Sequence, residues 1–257
     1  MSFESLLEHF YTTTGIEFND NKPIINKKVE RFYLDKGYND YHDFFAAIKQ
    51  DSSLHQELIN LLTTSETYFY RELSQIKLFL ELVKDAKLKI KILCVPCASG
   101  EEPYSILISM LEENIDLNRI EIYGIDINSD EIDKAKKGRF SSRRLHQLPP
   151  GLKEKYFISH ENGEHEIIPK LQRHIHFKQM NLFEPFPQNF SSFDVIFSRN
   201  MLIYFDRSAQ EKSERIFYEK LKKGGFLFLG HADHIYGVCD FKKVSKNRVI
   251  YYKKQLT

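Results

Sequence analysis

At 257 residues the chain exceeds what one compact core usually needs, so a large domain with a smaller companion is the starting expectation. Its 37 basic and 36 acidic side chains nearly cancel, and 42% of its residues are hydrophobic. That balance excludes a general attraction to nucleic acid or to an anionic membrane, and leaves only local patches as charged docking surfaces.

The opening MSFESLLEHFYTTTG has no basic stretch followed by a long apolar one, so no secretory signal is expected. No apolar run approaches membrane-spanning length, and the expected location is the cytoplasm. The first third reads as helices. Phe3, Leu6, Leu7 and Phe10 form one apolar stripe, and Ile25, Val29, Phe32 and Tyr33 form another at helical spacing. Phe44, Phe45 and Ile48 continue the pattern, followed by Leu54, Leu58, Leu61 and Leu62, with Gly15 and Gly37 as punctuation. Lys27, Lys28 and Arg31 lie on the polar side of the second helix, where a solvated face is the simplest reading.

A further helix runs through Ile76, Phe79, Leu80 and Val83. From Lys89 onward, strands and helices alternate. Strands are expected over Ile92 to Val95, Ile120 to Ile125, Asp194 to Ser198 and Phe226 to Leu229. A capping box of Asn128 and Glu131 opens one intervening helix, and Ser208 and Glu211 open another, closed by Lys222, Lys223, Gly224 and Gly225. This rhythm predicts an α/β fold with a doubly wound, parallel, Rossmann-like sheet behind an all-helical N-terminal domain. The expected division is 1–74 and 75–257. The stretch His165 to Phe177 is expected to form a small antiparallel β insertion, over about 157–178.

Cys94 and Cys97 make a C-x-x-C, but Cys94 lies inside an apolar strand, and no second pair completes a zinc site. His174, His176, His231 and His234 fit exposed faces better than a metal cluster, so no metal is expected.

The most informative stretch is Cys97-Ala98-Ser99-Gly100-Glu101-Glu102-Pro103-Tyr104-Ser105, a small-residue turn that opens a helix after the first strand. Such a turn brings backbone N–H groups close to a ligand, yet its two carboxylates would repel phosphate. They suit a ligand carrying an amino group. Asp126, ending the second strand, is placed to accept hydrogen bonds from ribose hydroxyls. A nucleoside-bearing ligand that is not led by phosphate meets both conditions, and S-adenosylmethionine is one.

The sequence resembles the chemotaxis protein methyltransferases, the CheR family, over nearly its whole length. The family's G-E-E-P-Y-S stands as Gly100 to Ser105, its T-x-F-F-R-E segment as Thr67 to Glu72, and its D-I-D/N as Asp126-Ile127-Asn128. Its N-L stands as Asn181-Leu182, its R-N-x-x-I-Y-F as Arg199 to Phe205, and its L-K-x-G-G as Leu221 to Gly225, with Gly230-His231 beyond. The resemblance implies transfer of a methyl group from S-adenosylmethionine, leaving S-adenosylhomocysteine, to glutamate side chains on chemoreceptor cytoplasmic helices. It implies that Thr67 and Arg71 face cofactor and acceptor, and that Glu102, with Glu101 as the alternative, holds cofactor groups beside Gly100. Asp126 would bind the ribose, Asn181 and Leu182 would frame the adenine, and Arg199, Asn200 and Tyr204 would line the transfer site.

A carboxylate is already a nucleophile at neutral pH, so this chemistry needs alignment more than a general base. Arg71 and Tyr204 are suited to fixing the acceptor carboxylate and are the expected catalytic pair. The chain departs from the family pattern at Ser65, where asparagine is usual, which removes an amide donor from the cofactor site. Further departures are Cys97-Ala98-Ser99 in the first loop and Tyr70 for phenylalanine. Rival readings are a methyltransferase for another protein or a small acid, and a non-catalytic module that senses the cofactor.

Overall fold

The structure is a computed structural model that describes residues 2–18, 21–63, 65–84 and 88–256. Helices α1 (Phe3–Thr14), α2 (Lys22–Asp35), α3 (Tyr41–Gln50) and α4 (Ser52–Leu62) form the N-terminal layer. Their apolar stripes meet in one core, in which Leu6, Phe10, Val29, Phe44 and Leu58 are almost fully buried. Local chemistry sets the ends of these helices. Asp40 and Asp51 cap α3 and α4 by accepting from backbone N–H groups, and Gly15 closes α1 in the left-handed region at φ 76°.

The second unit is built on a seven-stranded sheet in the order β6-β2-β1-β7-β8-β10-β9. Its strands are β1 (Ile90–Cys94), β2 (Ile120–Asp126), β6 (Ile175–Gln179), β7 (Phe193–Ser198), β8 (Leu221–Leu229), β9 (Phe241–Lys246) and β10 (Val249–Lys254). β6, β2, β1, β7 and β8 run parallel, and the β9–β10 hairpin closes one edge antiparallel. Helices α5 (Leu73–Val83), α6 (Glu101–Glu112), α7 (Ser129–Lys137) and α10 (Arg207–Lys220) accompany the strands. The sheet's strand order reverses at β1, whose neighbours are β2 and β7. Ligands of doubly wound sheets bind outside the carboxyl ends of the strands at such a point.

Three expectations need correction. The antiparallel insertion consists of β3 (Arg139–Ser141), β4 (Phe157–Ser159) and β5 (Glu164–Ile167), with α8 (Pro150–Tyr156) between β3 and β4. The residues from Ile175 on, assigned to the insertion by sequence, instead form β6, paired parallel with β2 after the short α9 (Pro169–Gln172). An edge strand with one wet face alternates just as a hairpin strand does, so the pattern cannot distinguish them. Secondly, α10 is capped by Asp206, which accepts from Ala209 N–H at 2.7 Å, while Glu211 pairs with Arg207. Thirdly, the run Lys222 to Gly225 belongs to β8, because α10 already ends at Lys220.

The segment before α5 belongs to the sheet unit by packing. Phe69 is fully buried edge-on against Phe140 and Phe157, within the same core as Tyr104 and Phe197.

Candidate active site

The loop after β1 turns through Ala98 at φ 46° and Gly100 at φ 94°. A Cβ on Gly100 would lie 3.1 Å from both Ala135 and Phe177, so glycine serves there for space as well as for conformation. The loop is tied across to β2, as Ala98 N–H donates to Asp126 Oδ2 at 2.8 Å. Asn128 N–H donates to Asp126 Oδ1 at 2.9 Å. Burial raises the Asp126 carboxyl to about 6, against the opposing pull of these N–H donors.

Asn128 next to it is a junction. Its Oδ1 caps α7 by accepting from Glu131 N–H at 3.1 Å, and its amide donates to Asn60 O and to both oxygens of Thr63. The reciprocal half of the expected capping box is not formed. The Glu131 carboxylate instead accepts from Ser65 Oγ at 3.0 Å and pairs with Lys134. Gln56 donates to Ile127 O at 2.9 Å, and Ile127 packs against the helical core. Helix α4 is thus docked directly on the strand end that carries Asp126.

The two loop glutamates have different partners. Glu101 is fully buried, accepts from Ser99 Oγ at 2.8 Å and faces Arg144 at 3.5 Å; burial pushes its carboxyl upward, with Arg144 opposing. Glu102 Oε2 accepts from Arg199 Nε, while Glu102 Oε1 is buried with no hydrogen-bond partner among the described residues. Arg199 also donates to Arg71 O at 2.7 Å and lies 3.8 Å from Glu72. It is 7% exposed and held by these neighbours, so it braces the site from behind.

Arg71 lies between two left-handed non-glycine residues, Tyr70 at φ 63° and Glu72 at φ 52°. Such conformations persist only where neighbours enforce them. Here Tyr70 N–H donates to Ser105 Oγ at 3.0 Å, Phe69 N–H donates to Arg144 O at 2.9 Å, and Arg144 donates to Thr67 O. The half-buried Arg71 guanidinium donates to Glu66 O at 2.6 Å and has no carboxylate partner among the described residues. Tyr204 ends a short 3₁₀ turn, Leu202–Tyr204, and is 51% exposed. No hydrogen bond joins it to Arg71; they are linked through Arg199, which contacts the Arg71 carbonyl from the start of the Tyr204 loop.

The remaining expected residues divide. Asn200 stands at the loop entrance at φ 59°. Asn181 donates to Thr13 O at 2.6 Å and Leu182 is buried in the core, so both hold the wall next to α1. The Ser65 hydroxyl is already engaged by Glu131. Sequence reasoning missed Glu72, Arg144 and Asp233, whose site contacts reach across the chain: to Arg199, to Glu101, and to Asn200 and Ile203 respectively. Cys94 and Cys97 are buried beneath the loop, and burial pushes both thiols well above their usual range, which favours the packing role.

Comparison with known proteins agrees with this arrangement. The family model described as "CheR methyltransferase, all-alpha domain" matches residues 1–63, and "CheR methyltransferase, SAM binding domain" matches residues 65–250. The chain is 35% identical over 241 residues to the chemotaxis protein methyltransferase of Campylobacter jejuni subsp. jejuni serotype O:23/36, covering 94% of this chain and 91% of that one. It is 36% identical over 264 residues to chemotaxis protein methyltransferase 2 of Vibrio cholerae serotype O1, covering 96% and 90%. Against the chemotaxis protein methyltransferase of Salmonella typhimurium the identity is 30% over 241 residues, covering 90% and 83%. With both family models matched in order across nearly all its length, the chain belongs to the CheR methyltransferase family.

Proposed function

We propose that the protein transfers a methyl group from S-adenosylmethionine to glutamate side chains on the cytoplasmic helices of chemoreceptors, forming glutamyl methyl esters in chemotaxis adaptation. The observation that carries this reading is the placement of the loop glutamates, Asp126 and the Arg199–Tyr204 loop at the carboxyl ends of adjacent strands β1, β2 and β7. Family membership supports the reaction class, and the named relatives support the chemotaxis context.

The residues fit the cofactor. The orphaned, buried Glu102 Oε1 is an acceptor without a donor, suited to an ammonium group. Each Asp126 oxygen accepts one backbone N–H and keeps a lone pair for a hydroxyl. When bound, S-adenosylmethionine supplies an electrophilic methyl group on a sulfonium.

The chain's own contribution is alignment. Arg71, free of any carboxylate of its own among the described residues, grips the acceptor carboxylate, and the Tyr204 hydroxyl orients it. Arg199 holds Glu102 through its Nε and fixes the Arg71 carbonyl. Thr67, Asn200, Asn181 and Leu182 form the walls. No side chain has to remove a proton, since the acceptor is ionised before it arrives.

The partner in this reading is the cytoplasmic domain of a methyl-accepting chemoreceptor, which places the enzyme in the cytoplasm. Among the described residues no helix is long and apolar enough to cross a membrane. The test is transfer of labelled methyl from S-adenosylmethionine to a purified receptor cytoplasmic fragment, followed by base treatment, which releases methanol from an ester. Label appearing on small acids but not on the receptor fragment would refute the acceptor. Cofactor binding without transfer to any acceptor would favour the sensing module.

A further inference from the structure

Asp233 lies four residues beyond the end of β8, is 9% exposed, and has no cationic partner among the described residues. Its carboxylate is held entirely by backbone. Oδ2 accepts from Asn200 N–H and, at 3.1 Å, from Gly230 N–H, while Oδ1 accepts from Ile203 N–H at 3.1 Å. One side chain therefore spans the exits of β7 and β8 and binds the loop that leads to Tyr204 at two points.

That loop needs such a hold. Asn200 is left-handed, a conformation that a non-glycine residue keeps only under restraint, and the 3₁₀ turn that follows is too short to fix itself. Its far end is held separately: Glu17 N–H donates to Tyr204 O at 2.9 Å, and Gln210 donates to Leu202 O and Phe205 O. The Tyr204 side chain is 51% exposed and makes no hydrogen bond with the described residues.

We propose that Asp233 is a positioning residue for methyl transfer, a carboxylate staple that sets the Asn200–Tyr204 loop and thereby where the Tyr204 hydroxyl stands. This rests on the reading that Tyr204 orients the acceptor. A merely stabilising turn residue would lower the unfolding temperature and leave the folded enzyme's rate intact. A positioning residue lowers the rate of fully folded enzyme.

The test uses single-turnover methyl transfer from saturating S-adenosylmethionine to a receptor cytoplasmic fragment, well below the unfolding midpoint of every variant. Asp233→Asn keeps the size but turns an amide donor toward backbone donors. It is expected to slow the step about tenfold to a hundredfold, the scale of losing one or two charge-assisted hydrogen bonds. Gly230→Ala attacks the same staple differently, because its Cβ would stand 2.8 Å from both Asn200 N and Asp233 Oδ2, and it should reproduce the loss. Asp233→Asn combined with Tyr204→Phe should be no slower than the slower single variant, since both act at one point. Hydrogen exchange provides a reading independent of Tyr204: the amides of Asn200 and Ile203 should exchange faster in Asp233→Asn, with β7 and β8 still protected. Freed amides beside a normal rate in Tyr204→Phe would overturn the role of Tyr204 and leave the staple standing. A normal rate in folded Asp233→Asn, or effects that multiply in the double variant, would overturn the proposal.

Discussion

If Asp126 binds the ribose as proposed, cofactor affinity becomes a function of pH, with a sign that follows from its raised carboxyl. Burial holds its carboxyl at about 6, against 3.8 for the unperturbed group. The difference corresponds to about 3 kcal/mol favouring the protonated form in the folded protein. The folded chain thus retains this proton up to about pH 6, while the unfolded chain releases it near pH 4. The stabilisation from this carboxyl is complete below the unfolded value and is lost as pH rises through the folded one.

Ribose hydroxyls act in the opposite direction, because as donors they favour the ionised carboxylate. If they prefer it by about 1.4 kcal/mol, the bound pKa falls by about one unit, and affinity at about pH 5 is about fivefold weaker than at about pH 7.5. Calorimetric titration with S-adenosylhomocysteine across about pH 5 to 8 measures this slope. Burial pushes the Glu101 carboxyl upward as well, so Asp126→Asn serves as the control. The variant should bind more weakly at neutral pH and lose most of the slope. Wild-type affinity that does not vary with pH, or an Asn variant that keeps the full slope, would refute the assignment of Asp126 to the ribose.

Three other outcomes are expected. Arg71→Ala should abolish most turnover while cofactor affinity stays, Arg71→Lys should recover little, and Tyr204→Phe should lower kcat/KM by about tenfold to a thousandfold; single-turnover rates on pre-bound cofactor check all three. Neutralising exposed Lys27 and Arg31 together with the half-buried Lys28 should raise the receptor KM and flatten its salt dependence without changing cofactor affinity, and wild-type kinetics at low salt would return them to a solvated face. Asn128→Ala removes one helix cap and the amide bonds to α4, a loss of about 2 kcal/mol that should lower the unfolding midpoint by about 4–8 °C in thermal melts.

What the sequence made legible follows from the range of the interactions. The Gly100 turn, Asp126 at a strand end and the helical stripes are local patterns, each readable within a dozen residues. Arg199 was legible as a motif member but not in its role, because Glu102, Glu72 and the Arg71 carbonyl reach it only through the folded sheet. Ser65 and Asn181 were assigned to the cofactor, yet their polar groups are engaged by Glu131 and Thr13 from other segments. β6 was misplaced since its partner β2 lies some fifty residues earlier, and alternation records which face is wet rather than which strand is adjacent.

The same long-range contacts give the helical layer a part in the site. Tyr11 donates to Asp206 at 2.8 Å, Thr13 O accepts from Asn181, Ile16 bridges to Phe205, and Glu17 N–H holds the Tyr204 carbonyl. On the other side, Gln56 and Asn60 of α4 grip Ile127 and Ser129 beside Asp126. The end of α1 therefore fixes the loop assigned to the acceptor, and α4 fixes the strand end assigned to the ribose. Donor and acceptor sides are connected through the helical core as well as through the sheet. In the proposed reading, a helix swung away to admit a receptor would strip supports from both sides at once, so docking is expected on an intact helical layer, where Lys27 and Arg31 stand exposed. In a reaction that depends on alignment, such bracing would support the rate, since displacing reacting groups by about an ångström can cost about a hundredfold.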